Sequence, residues 1–64
     1  MQTTDFKSIL NEIHDIGYTD QEIADEVNAK RPTVSKIRLG LQKTVMYEDG
    51  INIIRMHEKV INEL

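Results

Sequence analysis

The sequence predicts an all-α domain of four to five short helices, and three observations carry that expectation. Apolar residues return at helical spacing in successive stretches: Phe6, Ile9, Leu10, Ile13 and Ile16, then Ile23, Ala24 and Val27, then Val34 and Ile37, then a longer run from about Met46. Helix-start chemistry is written out at Thr19 and at Pro32. Residues that tolerate positive φ, namely Gly17, Asn28 and Gly40, fall just beyond the ends of the apolar runs.

The first helix is expected over about residues 5–16, with Thr4 as its cap, Asp5 at the positive end of its dipole and Gly17 closing it. Thr19-Asp20-Gln21-Glu22 has the form of a capping box, because Glu22 stands three residues after Thr19 and can return a hydrogen bond to the cap. Tyr18 and Ile23 flank that box as a hydrophobic staple. A second helix from about Asp20 to Val27 follows, and Asn28-Ala29-Lys30 interrupts it. Pro32 belongs in a first turn, where its missing N–H leaves nothing unsatisfied. A third helix is therefore expected from about Arg31 to Leu39, ended by Gly40. Two short helices joined by three or four residues, the second opened by Pro and rich in Lys and Arg, make a helix-turn-helix over about 20–39. Leu41 to Val45 reads as a loop, and a last helix is expected over about 46–62, with Gly50 as a possible break.

Sixty-four residues make a single domain, 1–64, of a size that buries only about 60 % of its unfolded surface. There is no cysteine, so no disulfide or thiolate metal site assists folding, and His14 and His57 have no zinc-site spacing. No phosphate-cradling glycine loop occurs, and Ser8 and Ser35 have no partner at a spacing that suggests a nucleophile. So short a chain has little room for a substrate pocket. The expectation is no enzyme, no cofactor, no metal and no small-molecule substrate. No apolar run reaches the roughly 20 residues of a membrane span, and no leader pattern opens the chain, which points to a cytoplasmic protein without a membrane partner.

The formal net charge of −3 is unusual for a nucleic-acid binder, but its distribution is uneven. Lys30, Arg31, Lys36, Arg38 and Lys43 follow one another without an intervening acid, while acids concentrate before and after them. Exposed charges act over about 8–10 Å at moderate salt, so a local basic stripe can meet phosphates within an acidic chain. A solvated charged face is the plain alternative.

These residues resemble the Xre/Cro-CI-like helix-turn-helix regulators of phages and bacteria. The resemblance rests on Gln21-Glu22-Ile23-Ala24, Val27, Arg31-Pro32-Thr33-Val34-Ser35-Lys36-Ile37 and Gly40, with a fainter echo in Tyr47-Glu48-Asp49-Gly50. It spans roughly Tyr18 to Lys59 and implies a lambda-repressor-like fold in which double-stranded DNA is the partner. By position, it implies that Arg31, Pro32, Lys36 and Thr33 read bases at the start of the third helix. Arg can pair bidentately with guanine, and Pro32 offers only apolar contact to a thymine methyl. Lys30, Lys43, Gln21 and Arg38 are assigned to phosphates. The chain departs from the pattern at Asn28, where the family most often has Gly, and at Asp20, whose carboxylate would repel a phosphate beside it.

The last helix carries a broad apolar arc. Met46, Ile53, Val60 and Leu64 lie on one line, and Tyr47, Ile51, Ile54, His57 and Ile61 lie beside it. Such a surplus suggests a homodimer, with Ile53, Met56, Val60 and Leu64 as the dimerisation residues, so that two recognition helices read two half-sites. Core packing in a small protein is the other reading of the same arc. Three functions fit: a sequence-specific transcriptional regulator that occupies an operator and, as the resemblance implies, blocks polymerase; a DNA-binding antitoxin or autoregulator with a protein partner; and a small phage DNA-packaging subunit.

Overall fold

The computed structural model describes residues 5–64, so Thr4 and its expected capping role lie outside the described residues. Four helices occur there, with no strand: α1 (Phe6–Ile16), α2 (Asp20–Val27), α3 (Arg31–Arg38) and α4 (Tyr47–Asn62). No helix among the described residues is long and apolar enough to cross a membrane.

Each boundary follows from local chemistry. Asp5 caps α1: its carboxylate accepts from the Ser8 N–H at 3.2 Å and the Ser8 hydroxyl at 2.8 Å. Gly17 then takes φ +132° and turns the chain. The capping box is present in full, with Thr19 Oγ1 accepting from the Glu22 N–H at 3.1 Å and Glu22 Oε1 accepting from the Thr19 N–H at 2.9 Å. Asn28 adopts the left-handed conformation, φ 59° and ψ 41°, and the Ala29 N–H reaches back to the Ala24 carbonyl at 2.9 Å. This tight turn redirects the chain into α3. At the far end of α3, Gly40 (φ +81°) lets the Leu41 N–H bond the Lys36 carbonyl and the Gly40 N–H bond the Ile37 carbonyl. These are the two hydrogen bonds of a Schellman motif, and they place the stop one residue earlier than the sequence suggests.

One core serves all four helices. Leu10 and Ile13 of α1, Ile23, Ala24 and Val27 of α2, Val34 and Ile37 of α3, and Ile53, Met56 and Val60 of α4 are buried together. Phe6, Ile9, Tyr18, Ala29 and Val45 pack against its edge. The small Ala24 lets α2 and α3 approach closely in that core. Gly50 does not break α4. It is buried, and a Cβ there would stand 3.0 Å from Cζ of Phe6, so the glycine makes room for the aromatic ring rather than for a bend.

Helix α4 lies alongside both α1 and α2. His57 Nε2 meets Glu12 of α1 at 2.9 Å, and Lys59 Nζ meets Glu26 of α2 at 2.8 Å. The Asn52 amide donates to the Val27 carbonyl at 3.0 Å and satisfies an acceptor that the end of α2 leaves open.

Candidate nucleic-acid interface

The two faces of α3 are chemically opposite. Val34 and Ile37 point into the core, while Arg31, Pro32 and Lys36 are exposed and Thr33 is half-buried. Lys30 caps α3 from the connecting turn and is also exposed, as is Lys43 in the loop beyond Gly40. Lys36 and Arg38 in the last turn oppose the negative end of the helix dipole. Neither Arg31 nor Lys36 forms an ion pair among the described residues. Lys30, Arg31, Pro32, Lys36 and Lys43 are thus all exposed, and Thr33 is half-buried.

Lys7 lies beside Lys43 although its position in the sequence gives no hint of it. Its side chain runs over Gly40, with Nζ 3.4 Å from where a Cβ would stand, and it lines a surface groove of about 270 Å³ together with Lys43. Three acids of α2 lie at a different groove. Glu22, Asp25 and Glu26 line a second groove, shared with Met56, Lys59 and Val60 of α4. Each groove also holds one opposite charge, Asp5 beside Lys7 and Lys43, and Lys59 beside Glu22, Asp25 and Glu26.

Two of the expected assignments are corrected. Arg38 is not free to meet a phosphate, because its guanidinium is held by Asp20. Nε donates to Asp20 Oδ1 at 2.7 Å, and Nη2 donates to Oδ2 at 3.0 Å. Both side chains are largely covered, at 18 % and 16 % exposure, so a bidentate pair is retained over solvation. Ile53, Met56 and Val60 are not a dimer surface: all three lie in the chain's own core, at 4 % exposure or less. The arc of α4 is broad because that helix covers α1 and α2 together. Leu64, the fourth residue of that set, is 84 % exposed. Gln21 is exposed at the start of α2, where its amide donates to Asp25 Oδ1 at 2.9 Å.

Asp20 is the centre of a polar network that spans three helices. Besides Arg38 it accepts from the Ser35 hydroxyl at 2.8 Å. Asn11 of α1 donates to the Arg38 carbonyl at 3.0 Å and to the Lys7 carbonyl at 2.9 Å. The Arg38 guanidinium, then the Ser35 hydroxyl, hold the Asp20 carboxyl below its ordinary range against the opposing effect of burial, and Asp20 in turn keeps Arg38 protonated. The charge of Asp20, placed by sequence where a phosphate would approach, is thus balanced within the fold.

A pH dependence follows. The Asp20 carboxyl gives up its proton more readily folded than unfolded, so the unfolded chain binds more protons as acid is added. The stability it contributes is whole above the ordinary carboxyl value of 3.8 and is lost as pH falls toward the lower folded value. Urea midpoints measured from about pH 6 down to about pH 3 should fall for the native chain and fall less steeply for Asp20→Asn. Asp5 is also depressed by Ser8 and contributes in the same direction in both proteins, so the difference between the two curves isolates Asp20. Parallel curves would remove the ion pair from the account of stability.

No known protein family, no curated protein and no solved structure matches this chain.

Proposed function

We propose that this chain is a sequence-specific DNA-binding transcriptional regulator that lays α3 in the major groove and occupies an operator. The observation that carries this reading is the exposed edge of α3. Arg31, Pro32 and Lys36 are exposed there, with neither cation in an ion pair among the described residues, on a helix whose other face is fixed in the core by Val34 and Ile37. The reading assigns the exposed Lys30, Lys43 and Lys7 to the backbone of the duplex and the exposed Gln21 at the start of α2 to a phosphate. The reading assigns the protein to the cytoplasm and gives it no catalytic activity. Binding-site selection on random duplexes tests it: enrichment of a common sequence is expected, and recovery of unrelated sequences would refute it.

Phosphate contact by this surface has its own signature. Affinity should fall with salt along a log–log slope of about −0.9 for each phosphate neutralised. Lys43→Ala should weaken all duplexes alike and make that slope shallower by about one unit. Fluorescence anisotropy across a salt series checks this, and an unchanged slope would take Lys43 out of the phosphate set.

Self-association belongs to the same proposal, with Leu64 the one residue of the expected set that is exposed for it. Ile16, Ile61 and Leu64, at the ends of α1 and α4, are 38 %, 44 % and 84 % exposed. A two-fold dimer would read an approximate palindrome with half-site centres about 10 base pairs apart. A selected site without symmetry, bound by one subunit in sedimentation, would leave the regulator a monomer.

A further inference from the structure

Ser35 is placed by the fold on the surface proposed to face DNA. It stands one turn after Arg31 and Pro32 and directly before Lys36, it is half-buried, and Asp20 at the start of α2 lies against it. An ionised carboxylate has no hydrogen to give, so the 2.8 Å contact between Ser35 Oγ and Asp20 Oδ2 takes the one hydroxyl hydrogen that serine owns. Two bonds from Arg38 hold Asp20 there. Its Oδ1 accepts from Arg38 Nε at 2.7 Å and its Oδ2 from Nη2 at 3.0 Å, and the backbone carbonyl of that same Arg38 is tied to α1 by Asn11. What Ser35 can present to the groove is its oxygen lone pairs alone.

A free serine reads either donors or acceptors and discriminates little. A serine restricted to accepting is selective, because only two groups in the major groove donate, the N6 amino group of adenine and the N4 amino group of cytosine. Thymine O4 and guanine O6 and N7 are acceptors, and each would face the Ser35 oxygen lone pair to lone pair. We propose that Ser35 is a specificity-determining residue that accepts a hydrogen bond from the exocyclic amino group of adenine or cytosine, with Asp20 as the positioning residue that fixes its hydroxyl. The assignment rests on the proposed docking of α3 in the major groove. It gives Asp20, which the sequence places as an obstacle to phosphate, a role in base choice.

The test uses the full chain and its selected duplex. Each adenine is replaced in turn by the purine that lacks the 6-amino group, and each cytosine by the pyrimidinone that lacks the 4-amino group. At one position per half-site, removal of the amino group should weaken native binding about three- to tenfold, the range for one neutral hydrogen bond. Ser35→Ala should bind the normal and the amino-less duplex equally at that position, while keeping its losses at every other position. Asp20→Ala frees the hydroxyl to donate, so it should accept thymine or guanine there nearly as well as the preferred base. That relaxation is a readout that a simple loss of stability would not produce, and thermal melts of both variants confirm folding. A selected site at which every amino-group loss persists in Ser35→Ala would overturn the assignment and leave the regulator reading intact. A Ser35-dependent contact to thymine or guanine would show that the hydroxyl donates and would overturn the role of Asp20. Absence of any preferred site would overturn both this inference and the function it rests on.

Discussion

Ile53→Ala is expected to lower the free energy of unfolding by about 2–5 kcal/mol, the range for removing three carbons from a packed aliphatic site. Ile53 is 1 % exposed at the middle of α4, the helix that lies against α1 and α2 at once. A chain of 64 residues has roughly 3–10 kcal/mol of stability in total, so the variant should lose a large fraction of it. Urea unfolding followed by far-UV circular dichroism measures the loss. Leu64→Ala, at 84 % exposure, should stay within about 0.5 kcal/mol of the native chain. The contrast separates a core role from a dimer role. A core residue lowers the midpoint at every protein concentration, whereas an interface residue changes sedimentation and makes the midpoint depend on concentration. An Ile53→Ala chain that unfolds like the native one but no longer associates would return Ile53 to a surface.

The comparison of sequence with structure turns on distance along the chain. The capping box at Thr19 and Glu22, the left-handed Asn28, the positive φ of Gly40 and the first-turn Pro32 were all readable, because each involves residues within a few positions whose backbone chemistry admits few alternatives. The exposed edge of α3 was readable for the same reason: a helix with Val34 and Ile37 inward must turn Pro32 and Lys36 outward. Periodicity, in contrast, states which residues share a face and not what covers it. The arc of α4 has the width of a helix that meets two neighbours, and that width is identical to what a surplus dimer stripe would show. Gly50 looked like a break because its partner, Phe6, lies 44 positions earlier.

Charges were the least legible element. Arg38 belongs by sequence to the basic stripe, yet it is balanced by Asp20, 18 residues away, and only the crossing of α2 and α3 brings them together. Lys7 of α1 comes to lie beside Lys43 through the fold in the same way. A count of Lys and Arg along α3 therefore overstates its free charge by one and misses one from outside it. The departure at Asp20 and the cation at Arg38 are a single feature seen at two positions.

Arg31 remains the cation best placed to choose a base, and on the proposed reading its removal has the largest effect on binding. It is the first residue of α3, exposed, and without an ion pair among the described residues, so its guanidinium is not already engaged as that of Arg38 is. Its five donors in a planar fork match guanine O6 and N7 together, a pairing worth about 1–3 kcal/mol of discrimination. Arg31→Ala should accordingly bind the selected duplex about five- to 150-fold more weakly. Its loss on random duplexes should be much smaller, because nonspecific affinity is shared among Lys7, Lys30, Lys36 and Lys43 and each phosphate contact contributes only part of it. Stability should hardly change, since this side chain is exposed and in no ion pair among the described residues. Arg31→Lys is the informative companion: it keeps the charge but not the fork, so it should recover the salt dependence and not the base preference. The anisotropy titration that separates these outcomes compares the selected duplex, the same duplex with its guanine replaced, and a random one. If Arg31→Ala loses as much on random DNA as on the selected site, or if Arg31→Lys restores full specificity, Arg31 acts as a phosphate contact and another residue of α3 must carry the choice of base.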